Sequence, residues 1–130
     1  MKKILALLLL ILAGCSNIYL DTSDLLRAQN AGNLRKLSAG LRQDVVVEMM
    51  GTEPSKSLFM WIDNPYRTAT LTGKDGKNYD VLYYYTDLKS RDDKITDDEL
   101  TPLVFEGGKL IGWGYPFLDR KVPPKPIYTR

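Results

Sequence analysis

Arg67-Thr68-Ala69-Thr70-Leu71-Thr72-Gly73-Lys74-Asp75-Gly76-Lys77-Asn78-Tyr79-Asp80-Val81-Leu82-Tyr83-Tyr84-Tyr85 is the stretch that decides the fold class. Two runs rich in Thr, Tyr and Val, Tyr66 to Thr72 and Asn78 to Thr86, flank an Asp-Gly pair. Such a pair between alternating strands is a favoured two-residue hairpin turn. That turn pairs the positions on either side of it, and side chains alternate from there. Ala69, Leu71, Leu82 and Tyr84 then share one face with Asp80. Thr68, Thr70, Thr72, Tyr79, Val81, Tyr83 and Tyr85 share the other.

Gly107-Gly108 repeats the signal between Leu100 to Glu106 and Lys109 to Tyr115. Its turn sets Glu106 against Lys109, so that Val104, Ile111 and Trp113 share a face and Leu103, Phe105, Leu110 and Gly112 share the opposite one. Between the hairpins, Asp87 to Glu99 carries six acids and three bases and reads as a solvated connection. Within it, Thr96 and Glu99 have capping-box spacing, which predicts one helical turn before Leu100.

Upstream the period is helical. Asp21 or Thr22 is a plausible N-cap for a helix carrying Leu25, Leu26, Leu34 and Leu37, with Gly32 a weak point. After a turn at Gly40, the stripe Leu41, Val45, Val46, Met49 and Met50 describes a second helix, closed by Gly51 with Pro54 just beyond. The expected fold is α+β: two N-terminal helices packed on one face of a three- to four-stranded antiparallel sheet made of two hairpins. Leu71, Leu82, Leu103, Phe105 and Leu110 are expected to receive the helices, with Gly112 and Gly114 allowing close approach. Ser57 to Ile62 reads as a short extra strand or a loop over the core. Val122-Pro123-Pro124-Lys125-Pro126 opens a tail suited to polyproline II, and Lys109 to Arg130 holds five bases and one acid.

The first fifteen residues give an address. Lys2 and Lys3 precede an apolar run of nine residues, Ile4 to Leu12, and then Ala13-Gly14-Cys15. A basic start, a short apolar stretch and small residues form a secretory signal, and the run is about half of the roughly 20 residues needed to span a bilayer. Cys15 is the only cysteine of the 130 residues, so no internal disulfide is available. Leu12-Ala13-Gly14-Cys15 looks like the lipobox of bacterial lipoproteins. That resemblance implies lipid attachment at Cys15 (a diacylglyceryl thioether and an added acyl chain of the palmitate type). It also implies, through Ser16, sorting to the outer membrane with the domain facing the periplasm. The expected organisation is signal peptide 1–14, lipidated tether 15–20, folded domain 21–117 and a proline-rich basic tail 118–130.

Several classes are disfavoured by composition. The net charge of +2 belongs to the precursor, and losing Lys2 and Lys3 leaves 16 bases against 16 acids, which argues against a nucleic-acid partner. The chain has no histidine, which excludes Ser-His-Asp and Cys-His catalysis and the common zinc sites. Asp92-Asp93 and Asp97-Asp98-Glu99 would suit acid-base work or Ca²⁺ by residue type, but adjacent acids in a charged loop ordinarily face water, and the EF-hand spacing is missing. No catalytic residue, metal ligand or cofactor is therefore expected. The aromatic face of Tyr79, Val81, Tyr83 and Tyr85, continued by Ile111 and Trp113, is the candidate partner-binding platform.

Two segments carry a wider resemblance. Gly40-Leu41-Arg42-Gln43-Asp44-Val45-Val46 followed by Met49-Met50-Gly51-Thr52-Glu53-Pro54 is similar to the helix element of the SmpA/OmlA/BamE-like outer-membrane lipoprotein superfamily. Thr101-Pro102-Leu103-Val104-Phe105 with Gly108-Lys109-Leu110-Ile111-Gly112-Trp113-Gly114 is similar to the last hairpin of its relatives of unknown function. Arg42 departs from the family's Ser or Thr N-cap, and the acidic connection and proline-rich tail are longer. The resemblance implies an ααββββ domain and a non-enzymatic envelope lipoprotein that binds another protein and supports outer-membrane assembly or integrity. The alternatives it leaves are a stress-related inhibitor-like lipoprotein and a Ca²⁺- or small-ligand-binding one.

Overall fold

A computed structural model describes residues 21–124. The order is α1 (Ser23–Leu34), α2 (Gln43–Met50), β1 (Ser55–Lys56), β2 (Trp61–Ile62), β3 (Arg67–Thr72), β4 (Asn78–Tyr85), a 3₁₀ turn (Asp97–Glu99), β5 (Leu100–Glu106), β6 (Lys109–Trp113) and α3 (Tyr115–Lys121). The four long strands form one antiparallel sheet in the order β3-β4-β5-β6, and β1 and β2 form a separate two-stranded ribbon. The fold is α+β, with helices ahead of a sheet built from two hairpins.

Asp21 opens α1 by accepting the Ser23 amide at 2.9 Å and the Ser23 hydroxyl at 2.5 Å, which satisfies one of the free donors of a helix start. The helix runs through Gly32, where open space surrounds the backbone and helical geometry costs only propensity. In α2, Val46 and Met50 are fully buried, and Gly51 ends the helix at φ +83°. Together with Leu37, these two side chains pack on Leu82, Tyr84, Leu103, Phe105 and Leu110, with Leu34 and Leu41 at the margin. Four of the five residues expected to receive the helices do so.

Leu71 does not, because the first hairpin closes one residue differently from expectation. Gly73 and Lys77 bracket a three-residue loop: the Gly76 amide donates to the Gly73 carbonyl at 3.0 Å and the Gly73 amide to the Lys77 carbonyl at 2.7 Å, with Gly76 at φ +80°. This is a type I turn followed by a left-handed glycine, the usual three-residue hairpin. Leu71 therefore faces Tyr79, and Ala69 faces Val81. Ala69 and Leu71 join the tyrosine side, while Leu82 and Tyr84 share the side of Thr68, Thr70 and Asp80.

The second hairpin turns at Gly107-Gly108, with Glu106 opposite Lys109 and Phe105 opposite Leu110 as expected. A bulge then shifts the register, so that Val104 faces Gly112 and Leu103 faces Trp113. Gly112 thus moves to the tyrosine face and Trp113 leaves it. A Cβ on Gly112 would lie 2.6 Å from the Phe117 ring, so the glycine lets α3 settle on the strand.

The segment 115–121 is a helix, so the expected tail beginning at 118 is corrected. Gly114 at φ +88° turns the chain, Pro116 sits in the first turn, where its missing N–H costs nothing, and Leu118 is buried. Lys74 fixes the far end: its amide donates to the Lys121 carbonyl and its ammonium to the Asp119 carbonyl, both at 2.9 Å. Among the described residues no helix is long and apolar enough to cross a membrane. The signal segment and Cys15 lie outside the described residues, as does the chain beyond Pro124.

Candidate functional site

The expected aromatic platform is core. Tyr79, Val81, Tyr83, Tyr85 and Val104 are all buried, in one cluster with Leu26, Ile62, Leu100 and Leu118. Leu118 and Phe117 from α3 and Ile62 from β2 cover the face that the hairpin pattern left open. The correction has a simple cause: two short elements, each weak in sequence, together supply enough apolar surface to close a sheet face.

The phenol ends of that face are spent on structure. Tyr79 donates to Asp75 Oδ2 at 2.5 Å, which holds the Asp75 carboxyl below its usual range and pushes the Tyr79 phenol up to about 12. Arg27 donates to the Tyr85 hydroxyl at 2.9 Å and lies 5.0 Å above its ring. Arg67 stacks 4.3 Å from the Tyr83 ring and pairs with Asp97 at 3.0 Å. Burial alone pushes the Tyr84 phenol, on the opposite face, to about 12, and its hydroxyl has no hydrogen-bond partner.

The acidic connection is tied down in the same way. Glu99 is buried, and its carboxylate accepts the Thr96 amide at 3.0 Å, the Thr96 hydroxyl at 3.0 Å and the Lys89 amide at 3.1 Å. The expected single turn with its capping box is present. Asp92 accepts the Lys94 amide at 2.9 Å, and Tyr115 donates to the Asp97 carbonyl at 2.7 Å. Asp92, Asp93, Asp97 and Asp98 are exposed. Their disposition is that of a loop capped by its own carboxylates.

A buried polar junction joins the layers, and sequence reading did not find it. Asn30 on α1, fully buried, donates to Asn64 Oδ1 at 2.9 Å and to the Tyr85 carbonyl at 2.8 Å. Asn64 in turn donates to the Met50 and Gly51 carbonyls at 3.2 and 2.8 Å, capping the end of α2. The signal was available, since Asn30 lies four residues from both Leu26 and Leu34 and so occupies an apolar-stripe position.

Among the described residues, two surfaces carry large apolar side chains that are exposed. The larger is on α1 and the β1–β2 ribbon, where Leu25, Leu58, Phe59 and Trp61 are 66, 65, 61 and 64 % exposed. The second is an open groove at the end of β6, where the exposed Trp113 meets Ile111, Gly112, Pro116, Phe117, Arg120 and Ala39. Arg120 stands 5.4 Å from the Phe117 ring there. Of the six predicted platform residues, Ile111 and Trp113 alone are not buried.

Residues 21–119 match a family described as protein of unknown function (DUF3192). The chain belongs to that family. No curated protein and no solved structure matches it. The matched span of this DUF3192 protein covers both hairpins and nearly all of α3, the element that closes the tyrosine face. Both exposed apolar surfaces fall inside it apart from Arg120.

Proposed function

We propose that this DUF3192 protein is a lipid-anchored, non-enzymatic protein of the cell envelope, held by Cys15 at the outer membrane with its domain facing the periplasm. It acts by binding another protein in support of outer-membrane assembly or integrity. The address is supported by the lipobox-like Leu12 to Cys15, and the role by the resemblance of two segments to SmpA/OmlA/BamE-like lipoproteins. The absence of histidine and the use of the phenols and acids as structural partners both favour recognition over catalysis.

The observation that carries the binding role is the groove at the end of β6. An exposed Trp beside a Pro, a half-buried Phe and an Arg is the residue mixture that dominates protein interfaces, where aromatic and Arg side chains supply most of the binding energy. Photocrosslinking in cells tests it. A crosslinker at Pro116 is expected to give an adduct of defined mass that disappears when Trp113→Ala is added, while one at the exposed Thr70 gives none. No adduct at position 116, or one indifferent to Trp113, would overturn the assignment.

A further inference from the structure

The β1–β2 ribbon is built in an unusual way for a solvent-exposed element. Three of the four amides of its tip, Ser57 to Met60, are paired within it: the Ser57 amide donates to the Met60 carbonyl at 2.9 Å, and Ser57 Oγ accepts the Phe59 and Met60 amides at 3.2 and 3.0 Å. That fixed turn holds Leu58 and Phe59 outward. Trp61 emerges beside them, with the Lys56 ammonium 5.6 Å from its ring. A tip with three of its four amides already paired loses less on leaving water, and Trp with a neighbouring Lys is the pairing found at the boundary between headgroups and hydrocarbon.

The ribbon also sits where the N-terminal tether arrives. The Thr22 amide donates to the Lys56 carbonyl at 3.1 Å, and the Lys56 amide returns a bond to Thr22 Oγ1 at 3.2 Å. Thr22 Oγ1 also lies 2.6 Å from Ser55 Oγ. Lys56 is paired across the ribbon with Trp61. Thr22 is therefore two strand spacings from Trp61, about 10 Å. Seven residue steps separate Cys15 from Thr22, a reach of about 25 Å at full extension. A chain anchored through Cys15 cannot hold Thr22 far from the bilayer, and Trp61, Phe59 and Leu58 stay near it. Leu25, on the first turns of α1 beside Thr22 and Ser55, extends the same patch.

We propose that the β1–β2 ribbon is a membrane-contact element, in which Leu58, Phe59 and Trp61 enter the headgroup region of the bilayer that carries the N-terminal lipid. The occupant is the lipid surface itself, and the contact is apolar. Acids (Asp21, Glu53, Asp92) and bases (Lys56, Arg91, Lys94) both border the patch, so no excess positive field selects anionic lipid. The element gives the tethered domain a defined orientation on the membrane. The inference rests on the lipoprotein reading of Cys15.

The chain has two tryptophans, which makes the test direct. Full-length protein purified from membranes, carrying Trp113→Phe, is reconstituted in phosphatidylcholine vesicles with and without bromine on the acyl chains. Insertion by about 5–10 Å predicts that Trp61 emission falls by about half in the brominated vesicles. With Trp61→Phe instead, Trp113 emission is expected to be unchanged. The pair Leu58→Ser and Phe59→Ser, at positions too exposed to support the core, is expected to abolish most of the Trp61 quenching while the circular dichroism stays the same. Lipid on Cys15 by mass spectrometry with unquenched Trp61 would overturn the contact and leave the lipoprotein reading standing, with a protein then the occupant of the patch. An unmodified Cys15 would overturn both.

Discussion

Replacing Asn30 by alanine tests whether the buried amide junction holds the helices to the sheet. The substitution removes the donor to Asn64 Oδ1 and to the Tyr85 carbonyl, leaving two buried acceptors short of a partner. Each such loss costs about 1–3 kcal/mol. Two effects oppose it: Asn30 Oδ1, itself without a partner, is removed, and alanine is the better helix former by about 0.6 kcal/mol. The net loss expected is about 2 kcal/mol, or about 30-fold in the folding equilibrium. For a domain of this size it corresponds to a fall of about 8–16 °C in Tm. Urea unfolding followed by circular dichroism, with an unchanged m-value, is the assay. Asn30→Asp sharpens it, because a carboxylate would face two oxygens in the core; it should be worse than Asn30→Ala at neutral pH, with the difference shrinking in acid, where a protonated carboxyl can donate. A loss below about 0.5 kcal/mol for Asn30→Ala, or an Asp variant no worse than Ala, would refute the reasoning.

Gly112→Ala should cost about 1–3 kcal/mol by pressing a methyl group into the Phe117 ring and lifting α3, seen as a lowered urea midpoint and altered near-ultraviolet dichroism. Asp75 is held below its ordinary carboxylate value by the Tyr79 hydroxyl and the Lys77 amide, so its contribution to stability is present above the unfolded-state value near 3.8 and is lost as pH falls through the lower folded-state value. Stability measured from pH 5 down to pH 2 should therefore fall less steeply in Asp75→Asn than in the parent. Tyr79, Tyr84 and Tyr115 are each pushed up to about 12, the first mainly by Asp75 and the other two by burial. Their neutral forms favour the folded state fully below the unfolded value near 10, and that contribution is lost as pH rises through 12. Ultraviolet titration of the folded protein at pH 11 should show fewer tyrosinates than the denatured chain, with Tyr83 and Tyr85, whose phenols burial also raises, adding to the deficit, and equal counts would contradict the assigned environments.

The second hairpin was legible almost to the residue because two adjacent glycines at φ +57° and +78° leave one economical turn. At Asp75-Gly76 the same kind of signal fits two geometries: Asp-Gly serves a two-residue turn, and Gly alone serves the left-handed position of a three-residue one. The Asp75 carboxylate decides between them by accepting the Lys77 amide at 3.0 Å and the Tyr79 hydroxyl, contacts that only the folded hairpin creates. That one-residue difference moved Ala69 and Leu71 across the sheet.

The candidate site was less legible for a related reason. Tyr115-Pro116-Phe117-Leu118-Asp119-Arg120-Lys121-Val122 lies next to Pro123 and Pro124, and its prolines suggested a tail. Yet Pro116 is in a helix's first turn, where it is favourable, and Leu118 and Val122 have the i, i+4 spacing of a short buried stripe. With α3 in place the tyrosine face is core, and the large apolar side chains left exposed include Leu58 and Phe59 at the ribbon tip, Trp61 beside them, and Trp113, which the expected platform already contained. Neither a bulge nor a ribbon of two-residue strands has a strong sequence signature.

Intact mass of the chain extracted from bacterial envelopes tests the central claim most directly. The account predicts a polypeptide that begins at Cys15, lacks residues 1–14 and carries the added mass of a diacylglyceryl group and one further acyl chain, with Cys15→Ser leaving the membrane fraction. A chain retaining Met1, or one beginning elsewhere with a free thiol at Cys15, would contradict it.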